Sequence, residues 1–586
     1  MENDDIRKII WVYGLKNAVE FNGMANAKAV MGKLMMERPD LRPKAKNYFP
    51  LIEEILKYIN NMKSEEQVDK LLELDPHALD QEDKKEEKKE LPQLPNLGQY
   101  KNIVMRMAPY PSGALHIGNA RMVILNHEYI KRYKGKLILF FDDTIGSPKS
   151  LRDSPKAKYV LPEAYKLIED GIKWLDVTFD ETFYKSERLD IYYNYCEKLI
   201  KDNIAYVCFC EAEEFRNKFK NLKKECPHRN QPIQHNLNEW IKMLKGEYQE
   251  TEVVVRIKTG MDQKDPALRD QIIMRISDAP HPRVGNKYHV WPMLEFSWAI
   301  DDHLIGVSHI LRGMDLIKED FIENFIWDHF KWKKAQFMHY GRINFPSLKL
   351  SKTEARNNIL NGIYDGWEDP RTWSLQSLNM RGIKPEALRK TLLDLGMSTT
   401  GINFDEDWLY SKNKEIIDGI SERYFYVENP IKVKIINTTF SEYTAKPLII
   451  PSDPDKGTRK IKVSVKNNTL IVYISNSDAV NLKANQIIRL KDLVNIEIIS
   501  KSLKKKEIQA KFHSLKLNRA YSIIQWVPEH DNVQVSILKP DGFLSQGYAE
   551  ANLIHIPLLK PIQFERYGFV NPIRWDNQKL ICYFTH

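Results

Sequence analysis

The stretch "APYPSGALHIGNAR", Ala108–Arg121, decides the reading of the fold. It sets two prolines, a serine and a glycine ahead of a histidine, with a second glycine two residues further on. It follows directly on the apolar run "NIVMRM" (102–107). A stiff elbow poor in side chains suits either a tight strand-to-helix turn or a place where backbone approaches a phosphate. Downstream, "NARMVILNHEYIKRYKG" has helical spacing and "KLILFFDD" is a second apolar run of strand length. Strand, helix, strand makes a βαβ unit and predicts a parallel sheet. In such a unit the loop amides and the helix N-terminus form an anion site. Gly113 and Gly118 would let the backbone come close, and His116 can donate to a phosphate oxygen. Pro109, Ser112 and Asn119 belong to the same loop. Taken alone, the elbow is equally a structural turn and the histidine a cap.

Around this unit the texture changes several times. Residues 1 to about 78 repeat apolar residues at helical steps, as in "IRKIIWVYGLKNAVEF" and "NYFPLIEEILKYINNM". "DQEDKKEEKKELPQLPNLGQ" (80–99) is a mixed-charge run ending in prolines and reads as a solvated linker. "TEVVVRIKTG" and "DQIIMRISD" are strand-like, and "HVWPMLEFSWAIDD…GVSHILRG" starts a second α/β section. Beyond about Pro430, "KVKIINTTF", "KIKVSVKNNTLIVYIS", "NVQVSILKPDG" and "PIQFERYGFV" are short strands with turn signals, the pattern of a barrel or sandwich. The fold class expected is multidomain α/β: a Rossmann-like catalytic domain with an α+β insertion, an N-terminal helical domain and a C-terminal β-barrel region.

With 586 residues the chain exceeds one core and should hold three to five domains, at about 100–200 residues each. Hydrophobic content of 42% and charged content of 28% are those of a soluble globular protein. No apolar run approaches the ~18 residues of a membrane span. "MENDDIRK" lacks the features of a signal peptide. Five cysteines argue against a disulfide scaffold and for a reducing, cytoplasmic setting. The net charge of +9 serves solubility as readily as binding when spread out. It clusters, however, in "SKSLKKKEIQAKFHSLKLNR" (500–519) and "KFKNLKK" (218–224), which brings nucleic acid forward.

Two further motifs carry chemistry. "NFPSLKLSKTEAR" (344–356) places Lys349, Ser351 and Lys352 in a short cationic loop ahead of a helix. Such lysines can neutralise charge on a transferring phosphoryl group and its pyrophosphate leaving group, although alone the loop is a solvated basic turn. "YVCFCEAEEFRNKFKNLKKECPH" (206–228) holds Cys208, Cys210, Cys226 and His228 as C-x-C, a spacer, then C-x-H. Paired thiolates and an imidazole suit a tetrahedral structural zinc; the bland alternative is ordinary strand cysteines with unrelated partners.

"HIGN" and "KLSKT" together resemble the HIGH and KMSKS signatures of class I aminoacyl-tRNA synthetases. "RMAPYPSGALHIG", "DDT" (142–144), "AIDDHLIGVSHILRG" (299–313) and the β-rich C-terminal third resemble archaeal-type glutamyl-tRNA synthetases within the glutamate/glutamine subfamily. The resemblance implies ATP-dependent ligation of L-glutamate to tRNA(Glu), with Mg2+ on the phosphates. His116, the amides around Gly118 and the loop with Pro109, Ser112, Gly113, Asn119 and Ser351 would hold ATP. Lys349 and Lys352 would stabilise the transition state. Arg106 and Arg312 would bind substrate carboxylates, Asp142 the α-ammonium, and Ala108 would line the pocket; Ala108 and Ser112 favour glutamate over glutamine. The family's acceptor-stem insertion also supports zinc at the cysteine cluster.

The resemblance implies these domains: 1–95, N-terminal helices and linker, a candidate for binding another protein; 96–205, first catalytic half; 206–285, acceptor-stem insertion with the zinc site; 286–345, second catalytic half; 346–430, the KMSKS-like loop and helical stem contacts; 431–586, the anticodon-binding barrels. Reading an anticodon requires splayed bases stacked on aromatics or arginines; the candidates near that end are Tyr521, Trp526, Arg566 and Tyr567, each of which reads first as core or barrel rim. Asn119 in place of a second histidine, Phe140 where an arginine commonly precedes the acidic pair, and Leu294-Glu295 in place of Tyr-Asp depart from the family pattern. The alternatives are an enzyme that also charges tRNA(Gln), a glutaminyl enzyme, or a non-catalytic tRNA-binding paralogue.

Overall fold

The computed structural model describes residues 2–20, 23–38, 40–41, 47–76, 78, 90–145, 159–348 and 350–586. The chain divides into two compact units, Met1–Lys88 and Lys89–His586. Most of the acidic-basic linker run, and Lys349, lie outside the described residues.

The first unit holds helices α1 (Glu2–Glu20), α2 (Ala27–Glu37), α3 (Phe49–Ile59) and α4 (Ser64–Leu74). Ile10, Leu15, Leu34, Ile52, Ile59 and Leu71 recur at helical steps and meet in one core. Gln67, fully buried on α4, donates its amide to the Ile59 carbonyl at 2.8 Å and the Gly23 carbonyl at 3.0 Å. These bonds satisfy the donor end of a carboxamide that would otherwise be costly inside an apolar core.

In the second unit, strands β1 (Val104–Met107), β2 (Lys136–Phe141) and β3 (Glu181–Tyr184) open a sheet. Helix α5 (Ile117–Tyr133) connects β1 to β2, α6 (Pro162–Trp174) precedes β3, and α7 (Leu189–Lys201) follows it. Four strands then form a separate antiparallel sheet in sequence order: β4 (Ala205–Cys208), β5 (Val254–Ile257), β6 (Ile272–Ile276) and β7 (Val290–Pro292). Helix α8 (Ile233–Leu244) packs on β4 and α7. Helix α9 (Leu294–Ile305), strand β8 (His309–Gly313), helix α10 (Glu319–Phe330) and strand β9 (Gln336–Tyr340) return the chain to the first sheet. That sheet is wholly parallel, in the order β3-β2-β1-β8-β9. The direction of strand addition therefore reverses at β1, which is the switch point of a doubly wound fold.

The sheet is buried on both faces, which is why its strands read as continuous apolar runs. Met105, Met107, Leu137, Leu139 and Phe141 point into a core shared with α5 and α6. Ile310 and the residues of α7, α9 and α10 build the core on the other face.

Helix α11 (Lys352–Leu360) and further helices between Leu375 and Ile417 lead to two seven-stranded sheets. One has Arg423–Tyr424 at one edge and Tyr426–Glu428 at the other. The second has Ser522–Ile524 and Val527–Pro528 at its edges. In each case both edges belong to one short stretch of chain, so the sheet curls back on itself and buries its own edges.

Arg381, fully buried, ties the helical segment to the first of these barrels, at the end of its strand Lys579–Phe584. Its Nε donates to the Phe584 carbonyl at 3.0 Å, and its Nη2 to the Thr585 carbonyl and the Tyr410 hydroxyl, each at 2.9 Å. Its guanidinium also lies 4.4 Å from the Trp373 ring centroid. Arg381→Ala strands these acceptors at about 1–3 kcal/mol each. The expected outcome is a loss of at least ~3 kcal/mol in chemical unfolding.

Candidate active site

The elbow 108–116 leaves β1 at its carboxyl end and caps α5. His116 is the N-cap: its Nδ1 accepts from the Gly118 amide at 3.1 Å, while Asn119 Oδ1 accepts from the His116 amide at 3.2 Å. Asn119 thus closes the capping box that frames the histidine. Because Nδ1 is an acceptor, the ring proton resides on Nε2, the atom left to donate to a ligand. The segment pairs with a later loop, with the Ile117 amide on the Trp373 carbonyl and the Leu375 amide on the Leu115 carbonyl. Pro109 is buried, and its carbonyl accepts from the Asp142 amide at 3.2 Å.

Gly113 has φ +142°, and a Cβ there would sit 2.4 Å from the Trp367 indole. A Cβ at Gly118 would meet the His116 ring at 3.0 Å. Both glycines are therefore required first by packing: the flank expected to admit a phosphate at Gly113 is taken by Trp367. The loop nevertheless ends in a helix N-terminus, where amides and dipole favour an anion.

Helix α11 begins at Lys352, and Ser351 is its N-cap, accepting from the Glu354 amide at 3.2 Å. The Ser351 hydroxyl is thus committed to the helix, while Lys352 stands at N1. It is close enough to His116 that its charge, after burial, helps push the imidazole down to about 3. The two predicted signatures therefore meet across the crevice.

The predicted amino-acid residues sit deeper, on the α9 face of the sheet. Arg106 on β1 is buried and makes a forked pair with Asp302, Nε at 2.6 Å and Nη2 at 2.7 Å. Arg312 on β8 is also buried; it pairs with Glu323 at 2.6 Å and with Asp320. Burial pushes the Glu323 carboxyl up, opposed by Arg312. Asp142, at the end of β2, lies 3.1 Å from the ammonium of Lys185. Its neighbour Asp143 is held by the Ser186 amide at 2.9 Å, the Ser186 hydroxyl at 2.7 Å and the Tyr165 hydroxyl at 2.8 Å. Ala108 is half-buried at the mouth of the loop.

Three residues here were given no role by the motifs: Lys185, Trp298 and Asp302, the last of them inside the quoted stretch 299–313. The Trp298 ring centroid lies 4.6 Å from Arg106 Cζ, 5.0 Å from Lys185 Nζ and 5.3 Å from Arg312 Cζ. Cations over an indole face within about 6 Å are attracted by its quadrupole. One ring therefore gathers the three cations. Phe140, where an arginine was expected, stacks on Phe183 at 5.6 Å, and the Arg188 guanidinium lies over both rings while pairing with Asp301 at 2.8 Å. Leu294 opens α9.

The metal candidate assembles in the insertion. Cys208 ends β4, and Cys208, Cys210, Cys226 and His228 place their ligand atoms within 4.8 Å of one another. Cys208 Sγ is 4.0 Å from both Cys226 Sγ and His228 Nδ1, and Cys210 Sγ is 3.4 Å from His228 Nδ1. A tetrahedral ion with bonds of about 2.0–2.3 Å needs ligand separations of ~3.5–3.8 Å, so the donor set fits a metal ion after small shifts.

At the far end, the basic run is a hairpin: Asn495–Ser502 and Glu507–Ser514 flank an exposed turn with Lys504, Lys505 and Lys506. Of the four aromatic and cationic residues named there, Trp526 is core, its Nε1 donating to the Lys491 carbonyl at 2.8 Å. Tyr567 packs edge-on to Tyr426, Arg566 pairs with Asp478 at the surface, and Tyr521 stands edge-on to His513 beside the hairpin.

A switch-point crevice with a histidine-capped helix on one side and a lysine-headed helix on the other defines a nucleotide-binding α/β core. The family described as "tRNA synthetases class I (E and Q), catalytic domain" matches residues 102–418, and its "anti-codon binding domain" matches 421–516 and 523–572. Glutamate–tRNA ligases of Thermococcus onnurineus and Pyrococcus furiosus are each 40% identical over 99% of this chain and 100% of their own. That of Methanocaldococcus jannaschii is 38% identical over 98% of both. The chain belongs to the class I tRNA synthetases of the glutamate and glutamine group. No helix among the described residues is long and apolar enough to cross a membrane.

The low value at His116 gives a signed expectation. The unfolded chain takes up this proton below about 6.5, the folded one only near 3. Folding stability is therefore lost as pH falls from about 6.5 toward 3. Urea unfolding at pH 7 and pH 5 should show a smaller loss in His116→Asn, which can still cap α5, than in the parent.

Proposed function

We propose that this chain activates L-glutamate with ATP and transfers it to the 3′ end of tRNA(Glu). The observation that carries the reading is 40% identity, end to end, with relatives named glutamate–tRNA ligase. The crevice suits the chemistry. The α-carboxylate attacks the α-phosphorus in line and pyrophosphate leaves, so the protein's work is positioning and charge stabilisation rather than covalent catalysis. His116 Nε2–H and the α5 amides offer donors to the triphosphate. Lys352 at the head of α11, with Lys349 from the same loop, meets the charge that develops on the departing phosphates. Mg2+ on the phosphates supplies further neutralisation. Arg106 and Arg312 are the cations for substrate carboxylates, and Asp142 is the anion for the α-ammonium. The terminal ribose 2′-hydroxyl of tRNA then attacks the glutamyl carbonyl of the adenylate, so that the glutamyl group passes to tRNA and AMP leaves; the 500–519 hairpin tracks the phosphates of that tRNA. Zinc in the Cys208–Cys210–Cys226–His228 cluster holds the insertion together.

The deciding assay supplies labelled glutamate or glutamine with each of the two tRNAs, ATP and Mg2+. Glutamate on tRNA(Glu) is the expected product; glutamate on both tRNAs makes the enzyme non-discriminating, and no charging leaves a binding-only paralogue. Lys352→Ala should lower charging by about 100-fold or more, while tRNA affinity stays within about twofold. Metal analysis of the purified protein should find one zinc per chain, lost together with thermal stability in Cys208→Ser; substoichiometric metal and unaltered melting would remove zinc from the proposal.

A further inference from the structure

We infer that His281, supplied by the inserted β4–β7 sheet, is a positioning residue for the reaction: it holds the backbone at the carboxyl end of β2 and so aims Asp142 at the substrate ammonium. The inference rests on the amino-acid subsite proposed above. Strand β2 ends at Phe141, so Asp142 and Asp143 leave the ladder and need partners elsewhere. The Asp142 amide goes to the Pro109 carbonyl at 3.2 Å. The Asp143 carboxylate is held by Ser186, just after β3, and by Tyr165 on α6. The Asp143 carbonyl is held by His281 Nε2 at 2.7 Å and has no other donor among the described residues. Asp142 itself presents two unlike oxygens. Its Oδ1 lies 3.1 Å from the Lys185 ammonium and 3.4 Å from the Thr144 hydroxyl. Its Oδ2 takes no hydrogen bond from a described residue, which leaves that atom for the substrate. Which oxygen faces outward follows from the backbone on either side, and His281 fixes the downstream side.

His281 is built to donate there. It lies in the turn between β6 and β7, 138 positions from Asp143. Its amide and its carbonyl both pair with Gly285, at 3.0 and 2.8 Å, a closure that uses the φ of +58° at that glycine. The ring is buried and stacks on the fully buried Trp291, 5.3 Å between centroids. Its Nδ1 accepts from the Arg283 amide at 3.1 Å and the Val284 amide at 3.4 Å. Two donors at Nδ1 place the ring proton on Nε2, facing the Asp143 carbonyl. Arg283 fastens the same turn to the end of β3: its guanidinium lies 3.5 Å from the Tyr184 ring centroid and pairs with Glu187. The turn is thus anchored without the bond to Asp143. What that bond adds is the placement of Asp143 and, through it, of Asp142.

Two substitutions separate this role from a merely structural one, because each reproduces one nitrogen of the ring. In His281→Gln the amide nitrogen stands near the place of Nε2 and can donate to the Asp143 carbonyl. In His281→Asn the shorter side chain keeps an acceptor for the turn amides and cannot reach Asp143. The full chain is assayed by steady-state charging of tRNA(Glu), varying glutamate and ATP in turn. In His281→Asn the kcat/KM for glutamate should fall by about tenfold, chiefly through KM, while the KM for ATP stays within about twofold of the parent. His281→Gln should bring the KM for glutamate back to within about threefold of the parent. His281→Met, which keeps bulk against Trp291 and loses the donor, takes the place of His281→Asn if that variant does not fold. A KM for glutamate unmoved in the donor-free variant, a rise shared equally with ATP, or a His281→Gln no better than His281→Asn overturns the role of His281. Failure of both donor-free variants to fold makes the bond structural and overturns it too. A parent that charges no glutamate on either tRNA overturns the subsite itself, and His281 with it.

Discussion

Between β1 and β8 the chain reverses the direction in which it adds strands, and the loops leaving Met107 and Gly313 must diverge. That divergence opens the crevice at the carboxyl edge of the sheet, and the described candidates for nucleotide and amino acid sit about it. His116 caps the helix on one side, Lys352 heads the helix on the other, and Arg106 and Arg312 lie on the two strands that flank the reversal. With the strands added in simple succession, these loops would lie side by side and leave no room for a nucleotide.

Beneath the rim, burial dictates a second layer of order. Arg106, Arg312 and Lys185 are each at least nine-tenths buried, and an isolated charge there would be prohibitively costly. Each is matched: Arg106 by Asp302, Arg312 by Glu323 and Asp320, Lys185 by Asp142. Trp298 stands among them and supplies attraction from its face where no further carboxylate is placed. Such a layer is rigid because each group is held by another. A substrate has to compete with partners already in position, so specificity depends on which internal pair yields most readily.

The remainder of the second unit fixes distant surfaces relative to this crevice. The β4–β7 sheet is inserted between β3 and α9 and shares the core that holds Trp291 and Trp327, while its cysteines pack in a cluster of their own with Phe215 and Met261. The two C-terminal sheets close on single stretches of chain, which leaves their hairpins, including the lysine-rich one, as the exposed features. Arg381 then fastens the helical segment to the barrel edged by Arg423–Tyr424 and Tyr426–Glu428 through backbone carbonyls, bonds that are insensitive to the side chains around them.

Much of this was legible in the sequence because it depends on local spacing. The apolar runs around Ala108–Arg121, the cationic loop at Lys352, the C-x-C…C-x-H ligands and the short strands after Pro430 are patterns that neighbouring residues impose on each other. The pairings were not legible. Lys185 in "FYKSERLD" looks like any surface lysine, and Trp298 in "EFSWAIDD" like any apolar helix residue. The role of Gly113 was likewise hidden, since the indole that fills its flank comes from Trp367, far along the chain. By itself the sequence determined the elements, the ligand sets and the family likeness, all functions of short-range period and motif. Only the tertiary structure decided which charge meets which, because contacts such as Arg106–Asp302, 196 positions apart, arise when the strands stack and α9 closes over them.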